Sequence, residues 1–122
     1  MSNKRVLVCE DDEGIVEIAQ IVLTEAGYEV HSAMNKVEIW GAIRQWKPDV
    51  ILLDLWMPEV SGAELTRELK QDPLFQKIPI IIVSANRETE KIARQAGAND
   101  FIYKPFDIND LEKRVMLYCP AN

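Results

Sequence analysis

The stretch that decides the fold reads Pro48-Asp49-Val50-Ile51-Leu52-Leu53-Asp54-Leu55-Trp56-Met57-Pro58. Its apolar run, residues 50–53, lies between two prolines and is typical of a buried parallel strand. Asp54 follows that run directly, so the pattern predicts a carboxylate at the carboxyl end of the strand. Open α/β sheets build their sites at this edge, and Asp54 is therefore the first candidate functional residue.

Two other predicted strands also end in charged side chains. Glu10, Asp11 and Asp12 follow the apolar run at residues 6–9, and Lys104 follows the run at residues 101–103. The carboxyl ends of parallel strands meet at one edge of a sheet. These side chains are therefore expected to converge on Asp54.

Strand-like runs alternate with helical patterns along the rest of the chain. The predicted strands cover residues 5–9, 29–32, 50–53, 80–83 and 101–103. Apolar stripes at helical spacing predict two helices. The first stripe consists of Ile15, Ile18, Ala19, Val22 and Leu23, and its helix ends at Gly27. The second consists of Val37, Ile39, Trp40, Ile43 and Trp46, and its helix ends before Pro48. Capping residues predict three more helices. Ser61 and Glu64 resemble a capping box for a helix over residues 62–70, and Gly97 is the expected C-cap of a helix over residues 88–96. Asp107 or Asn109 is the expected N-cap of a last helix that runs up to Tyr118.

This alternation predicts an α/β fold, a doubly wound (βα)5 three-layer sandwich of the flavodoxin-like type. Right-handed crossovers leave few topologies, and the parallel sheet order 2-1-3-4-5 is favoured. In that order the switch point lies between the first and third strands, which end at Glu10-Asp11 and at Asp54. Topology and residue type therefore predict the same site.

The composition limits the classes of function. A chain of 122 residues, of which 48% are hydrophobic, fits one domain, residues 1–122, with a sizeable core. The net charge of −6 and the lack of a basic run argue against nucleic acid or an anionic membrane as a direct partner. No apolar stretch is long enough to span a bilayer, so membrane insertion is not expected. The basic start at residues 1–5 precedes too short an apolar run for a signal peptide. Cys9 and Cys119 are typical of reduced thiols, which predicts a cytoplasmic location.

The charges at the predicted sheet edge suggest metal-assisted chemistry. Converging carboxylates repel one another unless a cation lies among them. An all-oxygen site open to water suits Mg²⁺ or Mn²⁺, and such an ion beside a lysine can neutralise an incoming phosphoryl group. Aspartate is itself a covalent carrier of phosphoryl groups. The acidic residues alone also leave open a solvated acidic rim without a metal.

Four segments, in this order, carry a more specific signal than any of them does alone. They are Val6-Leu7-Val8-Cys9-Glu10-Asp11-Asp12-Glu13; Pro48 to Pro58 with Gly62; Ile78-Pro79-Ile80-Ile81-Ile82-Val83-Ser84-Ala85; and Gly97-Ala98-Asn99-Asp100-Phe101-Ile102-Tyr103-Lys104-Pro105-Phe106. Together they resemble the receiver domain of two-component response regulators, and the resemblance covers essentially the whole chain.

The resemblance implies a metal and phosphorylation site. Asp54 matches the phospho-acceptor, while Glu10 and Asp11 match the metal-binding acidic pair. Asp54 and the backbone carbonyl of Trp56 match further metal ligands. Three acidic residues are adjacent here, and the pair should directly follow the strand, so Asp12 is interpreted as a solvated acid in the first helical turn.

The resemblance also implies a switch. Ser84 matches the hydroxyl that hydrogen-bonds the phosphoryl group, and Lys104 matches the lysine that pairs with its oxygens. Phe101 matches the aromatic switch residue whose rotamer follows Ser84. The Lys104–Pro105 bond matches one that is usually cis. Taken without the resemblance, these residues could also be a strand-end cap, a surface lysine and a core aromatic.

Three departures from the common pattern stand out. Trp56 is bulky where its side chain would overhang the phosphorylation site. Ser84 and Gly97 are 13 positions apart, about two fewer than expected, which questions the shape of the fourth helix or of the loop before it. Ser61 precedes Gly62 where Asp or Asn is frequent, a minor change.

The other notable side chains have structural interpretations. His31 is the only histidine, and on the second strand it is expected to be structural or exposed, away from the site. Trp40 and Trp46 are expected to fill the core or a groove from one helix.

The implied function is phospho-signalling. A sensor histidine kinase or histidine phosphotransfer protein would donate a phosphoryl group to Asp54 with Mg²⁺ bound. The surface of the fourth helix, fifth strand and fifth helix would then change shape to bind an unknown output protein. Because the chain ends after the last helix, we expect a single-domain regulator or a receiver from a longer protein, as a monomer or weak activation-dependent dimer. It is not expected to be an enzyme, beyond assisting its own phosphorylation and dephosphorylation.

Other classes of protein fit the residues less well. A degenerate receiver would bind partners without phosphorylation, but the whole set is intact: Glu10, Asp11, Asp54, Ser84 and Lys104. A phosphatase of the haloacid dehalogenase type would need Asp-x-Asp on its nucleophile strand, where this chain has Trp56. A flavodoxin would need a phosphate-cradling loop after the first strand, where three acidic residues would repel the phosphate of FMN.

Overall fold

Five parallel strands form the main sheet of the computed structural model, which describes residues 3–121. They are β1 Arg5–Cys9, β2 Glu29–Ala33, β3 Val50–Asp54, β4 Ile80–Ser84 and β5 Asp100–Tyr103. Their order in the sheet is β2-β1-β3-β4-β5, so the predicted order is confirmed. Most strands are one residue longer than predicted. The first two residues, part of the basic start, lie outside the described range.

Five α-helices connect and follow these strands. They are α1 Glu13–Glu25, α2 Lys36–Gly41, α3 Gly62–Gln71, α4 Glu90–Ala96 and α5 Ile108–Tyr118. A π-helical turn, Ala42–Trp46, continues α2, and a 3-10 turn, Arg87–Thr89, precedes α4. A two-stranded hairpin, Trp56–Met57 with Val60–Ser61, joins β3 to α3. The N-cap of α5 is Asp107, whose side chain accepts a 2.7 Å hydrogen bond from the Asn109 N–H.

The core has two halves, one on each face of the sheet, as a three-layer sandwich requires. Residues of α2, α3 and α4 pack on one face, represented by the buried Ile39, Leu69 and Ala93. Residues of α1 and α5 pack on the other face, represented by Leu23 and Leu111. The central strands β3 and β4 are buried along their whole length, which explains why their sequences are continuous apolar runs.

The two predicted apolar stripes lie on helices, but not all of their members are buried. Ile18 is 44% exposed and Val37 is 84% exposed, although both belong to predicted apolar stripes. Only Ala19 and Leu23 of α1 are buried. Val37 lies in the first turn of the short α2, outside the region that covers the sheet.

The fourth helix begins later than predicted. Its α-helical part starts at Glu90 rather than at residue 88, because residues 87–89 form a tighter 3-10 turn. The Asn86 side chain accepts a 2.9 Å hydrogen bond from the Glu88 N–H and caps this turn. The short spacing from Ser84 to Gly97 is thus accommodated by a seven-residue helix with a 3-10 entry.

Cys9, on the predicted core strand, is buried, and so is Cys119; neither forms a disulfide. The Lys104–Pro105 bond is cis. Within residues 3–121, no helix combines the length and apolar character needed to cross a bilayer.

Candidate functional site

The carboxyl ends of β1, β3, β4 and β5 bring the predicted site residues to one edge of the sheet. Cys9 pairs with Leu53, so Glu10 follows β1 beside the end of β3. Asp54 pairs with Val83, and Ser84 pairs with Tyr103, the residue before Lys104. Parallel pairing therefore aligns the four strand ends, as the sequence predicted.

Three carboxylates form the acidic part of the site. One oxygen from each of Glu10, Asp11 and Asp54 lies within 4.8 Å of the others. Glu10 is 3% exposed and Asp54 is 7% exposed, whereas Asp11 is exposed. The Asp12 side chain instead caps α1, where it accepts hydrogen bonds from the N–H groups of Gly14 and Ile15. Of the three adjacent acidic residues, Glu10 and Asp11 thus lie beside Asp54, whereas Asp12 caps the helix.

Lys104 supplies the positive charge of the site. Its Nζ donates a 2.7 Å hydrogen bond to Glu10 Oε1 and lies 3.4 Å from Asp54 Oδ2. Burial lowers the pKa of Lys104, but the hydrogen bond to Glu10 and the charge of Asp54 outweigh it, so that this pKa is raised. The lysine is therefore charged and placed between two carboxylates.

The lysine does not satisfy the whole cluster. Glu10 Oε2 is buried and accepts no hydrogen bond from any residue in the range 3–121. Burial, followed by the neighbouring Asp54, raises the pKa of Glu10 above its ordinary value, although Lys104 opposes the shift. Burying a carboxylate oxygen without a hydrogen-bond donor costs free energy, because the oxygen loses its bonds to water. Three carboxylates and an unpartnered oxygen fit a hard divalent cation, for which oxygen is the preferred ligand.

Ser84, the last residue of β4, is buried, and its hydroxyl contacts the loop that follows the strand. Its Oγ accepts a 3.3 Å hydrogen bond from the Asn86 N–H and lies 3.3 Å from Thr89 Oγ1. Thr89 is itself 3% exposed, and its hydroxyl donates a 2.6 Å hydrogen bond to the Asn86 carbonyl. Sequence analysis missed Thr89, because a threonine in a short turn has no distinguishing pattern.

Phe101 is buried on the α4 side of the sheet and belongs to the core. Its ring lies 4.8 Å, centroid to centroid, from the ring of Tyr103. The Tyr103 hydroxyl donates to Glu90 on α4, and the Arg87 guanidinium lies 4.3 Å from the centre of the Tyr103 ring. Sequence analysis also missed this Tyr103 contact, which ties β5 to the start of α4.

Backbone packing under Asp54 requires a glycine. A Cβ at Gly62 would lie 2.9 Å from Leu55 Cα and 3.0 Å from the Asp54 carbonyl oxygen. These distances are closer than a methyl group tolerates. The Trp56 N–H donates a 3.2 Å hydrogen bond to Asp54 Oδ1, and the Trp56 side chain is 63% exposed. The start of α3 thus packs against the backbone at Asp54 and Leu55, and the hairpin donates a hydrogen bond to the Asp54 carboxylate.

His31 lies away from this site, as expected. It is exposed on β2, and its ring stacks on Trp46 with centroids 3.8 Å apart. Trp40 and Trp46 are partly buried and pack against the core, as predicted.

Comparisons with known proteins agree with the geometry. The family model described as response regulator receiver domain matches residues 6–116. The chain is 39% identical over 117 residues to the phosphate regulon transcriptional regulatory protein PhoB of Pseudomonas aeruginosa, covering 94% of this chain and 51% of that protein. It is 36% identical over 107 residues to the polar-differentiation response regulator DivK of Brucella anthropi, covering 86% of this chain and 87% of that protein. The chain thus spans about half the length of most of the first curated relatives it matches.

Solved structures show the same fold. The chemotaxis response regulator CheY4 of Vibrio cholerae superposes with a TM-score of 0.87 at 26% identity, over 94% of this chain and 98% of that one. The receiver domain of the sensor histidine kinase PA1611 of Pseudomonas aeruginosa, crystallised with a magnesium ion in its active site cleft, superposes with a TM-score of 0.86 at 25% identity, over 96% of this chain and 98% of that one. With the family model matched from β1 to α5, the chain belongs to the response regulator receiver domain family.

Proposed function

We propose that this chain is a phospho-accepting receiver in which Asp54 takes a phosphoryl group from a phosphohistidine donor. The observation that carries the proposal is the setting of the Asp54 carboxylate. It is almost buried at a strand end, clustered within 4.8 Å of Glu10 and Asp11 oxygens, and 3.4 Å from the Lys104 ammonium. Receiver domains are signalling domains, and this chain retains the charged groups that phosphoryl transfer needs.

The proposed transfer is a single displacement at phosphorus. An Asp54 carboxylate oxygen forms a bond to phosphorus as the bond from phosphorus to the donor imidazole nitrogen breaks. The imidazole keeps the electron pair of that bond and takes a proton from water. The product is an acyl phosphate on Asp54, and the Lys104 ammonium lies close enough to Asp54 to pair with a phosphoryl oxygen.

A divalent metal is part of the proposal. Glu10, Asp11 and Asp54 would hold the ion, with the Trp56 backbone carbonyl as a further ligand. Mg²⁺ or Mn²⁺ would offset negative charge on the carboxylates and on the incoming phosphoryl group. The unpartnered Glu10 Oε2 supports this assignment, and so does the magnesium ion named for the related PA1611 receiver.

The proposed signal is a change of surface. A phosphoryl group adds a charge of about −1.5 to −2 next to Lys104 and near Ser84. Ser84 would donate its hydroxyl proton to a phosphoryl oxygen, and Phe101 would follow into the space released. The contacts between Tyr103 and Glu90 would carry the change to the surface formed by α4, β5 and α5.

The proposal extends to partners and organisation. The donor would be a sensor histidine kinase or a histidine phosphotransfer protein in the cytoplasm, and an output protein would bind the altered surface. Residues 1–122 would act as one receiver domain, as a monomer or a weak activation-dependent dimer. No catalytic activity beyond assisting its own phosphorylation and dephosphorylation is proposed.

Intact-mass spectrometry tests this proposal. The protein is incubated with acetyl phosphate and Mg²⁺ and its mass is measured over time. Wild type should gain one phosphoryl group, and the Asp54→Asn variant should gain none. No gain in folded wild type would favour the alternative of a receiver that binds partners without phosphorylation. Equal gain in the variant would move the acceptor to another residue.

A further inference from the structure

Thr89 is one of five buried polar or charged residues among residues 3–121, and it is the one whose position calls for a functional explanation. The others are Glu10, Asp54 and Ser84, which belong to the site, and Thr66, whose hydroxyl donates to the Gly62 carbonyl one helical turn back. Thr89 ends the 3-10 turn and directly precedes α4. Its hydroxyl lies between the Ser84 hydroxyl and the Asn86 carbonyl.

A count of protons gives the direction of these hydrogen bonds. Each hydroxyl has one proton to donate and can also accept. The Thr89 proton goes to the Asn86 carbonyl, because that contact, at 2.6 Å, is much shorter than the 3.3 Å contact with Ser84. With the Thr89 proton engaged in this way, the proton left for the 3.3 Å contact between the two hydroxyls is that of Ser84. The Asn86 N–H donates to Ser84 Oγ from the same loop.

We propose that Thr89 is a positioning residue that holds the Ser84 hydroxyl in the unphosphorylated protein and competes with the phosphoryl group for its proton. The inference rests on the proposed function, because it needs a phosphoryl group on Asp54 to draw Ser84 away. Ser84 has a single proton, so it cannot donate to Thr89 and to a phosphoryl oxygen at the same time. Phosphorylation therefore breaks the contact between Ser84 and Thr89.

The position of Thr89 makes this contact a link to the signalling surface. The residue after it, Glu90, opens α4 and accepts a hydrogen bond from Tyr103 on β5. The ring of Tyr103 in turn contacts Phe101. Loss of the Ser84 contact thus acts at the first turn of α4, next to the side chains that join α4 to β5. The short connection between β4 and α4 brings Thr89 within reach of Ser84.

The test compares the affinity of folded variants for beryllofluoride, a phosphoryl mimic, by calorimetry in the presence of Mg²⁺. Thr89→Val keeps the shape of the side chain and removes the hydroxyl, so Ser84 has no partner to give up. Its affinity should rise roughly three- to tenfold, as expected for one hydrogen bond removed from the free state alone. Thr89→Ser keeps the hydroxyl and should bind as wild type does.

If the inference is right, the effect of Thr89 on the affinity for beryllofluoride depends on the Ser84 hydroxyl. In a Ser84→Ala background, Thr89→Val should leave the affinity for beryllofluoride unchanged, which a general loosening of the loop would not do. An affinity of Thr89→Val equal to or weaker than that of wild type would overturn the inference. Failure of wild type itself to bind beryllofluoride would instead overturn the proposed function.

A measurement on wild type keeps the inference testable where Thr89→Val does not fold. Thr89→Ala then replaces it as the hydroxyl-free variant, with the same expected gain. In parallel, the methyl resonance of Thr89 is followed by NMR while beryllofluoride is added to wild type. It should shift on saturation, because the hydroxyl next to it loses a partner. A resonance that stays in place while the mimic binds would contradict the proposed competition.

Discussion

Lys104 and Glu10 are 94 positions apart in the chain, and their side chains form a 2.7 Å charge-assisted hydrogen bond across the sheet edge. Both side chains are largely buried, and Asp54 shares the same lysine at 3.4 Å. Among residues 3–121, Lys104 is thus the main positive charge that compensates a carboxylate cluster in which one buried oxygen, Glu10 Oε2, accepts no hydrogen bond. A buried pair of this kind is sensitive to removal of one partner.

Lys104→Met should therefore lower the free energy of unfolding of the metal-free protein by about 3 kcal/mol, because it leaves buried negative charge without compensation. Addition of Mg²⁺ should recover part of the loss. Chemical denaturation with and without the ion measures both effects. Lys113→Met, at an exposed position of α5, is the control and should change stability little. Equal stability of the two variants would mean that Lys104 does not stabilise the cluster.

Mg²⁺ should stabilise the wild-type protein through binding to the folded state alone, by roughly 2.7 kcal/mol at an ion concentration roughly 100 times the Kd. Asp11→Asn should lose most of this response, since one of the three clustered carboxylates is removed. Asp12→Asn should keep it, because Asp12 caps α1 instead and asparagine caps helices equally well. Thermal melts of wild type and the two variants, with and without Mg²⁺, show which of the adjacent acidic residues is needed for metal binding. A response lost in Asp12→Asn but kept in Asp11→Asn would show that the acidic pair is misassigned.

Gly62→Ala should destabilise the protein by about 1–3 kcal/mol, because the new methyl group would meet backbone atoms of Leu55 and Asp54 that cannot move independently. Gly41→Ala is a matched control in a helical conformation with no atom within 4 Å of the added carbon, and it should stabilise by about 0.5–1 kcal/mol. Urea unfolding measures both. If both variants changed the free energy of unfolding in the same direction, the close approach of Leu55 and Asp54 to Gly62 would not explain the effect.

Much of this fold follows from patterns along the chain, and the misses have physical causes. The continuous apolar runs of β3 and β4 predict their burial because both faces of the sheet are covered. Periodicity also locates α1 and α2, but it cannot say which part of an apolar stripe reaches the sheet, so the exposure of Ile18 and Val37 was missed.

The site was predictable where it depends on strand ends and not where it depends on loop packing. The convergence of Glu10, Asp54 and Lys104 follows from parallel strands in the order found. The 3-10 turn that brings Thr89 against Ser84 depends on the Asn86 cap and on the length of the loop together. No local pattern of residues marks that arrangement.

Tyr28 should make stability depend on alkaline pH. Its buried hydroxyl donates to the Cys119 carbonyl, and burial raises the pKa of Tyr28 from 10.0 to about 12. A pKa raised on folding gives stability that is present below pH 10 and is lost as the pH rises towards 12. Tyr28→Phe should be less stable than wild type at neutral pH by about 1 kcal/mol, for the lost hydrogen bond. The difference should shrink between pH 10 and 12, and denaturant unfolding at both ends of that range measures it. A constant difference would contradict the raised pKa.

The most direct test of the central claim is to locate the phosphoryl group. Wild-type protein is treated with acetyl phosphate and Mg²⁺, then reduced with borohydride, which converts an aspartyl phosphate to homoserine, and its peptides are sequenced by tandem mass spectrometry. We predict homoserine at position 54 and at no other aspartate, dependent on both the phosphodonor and the metal. Homoserine at Asp11 or Asp12, or none at position 54 in folded protein, would contradict the account.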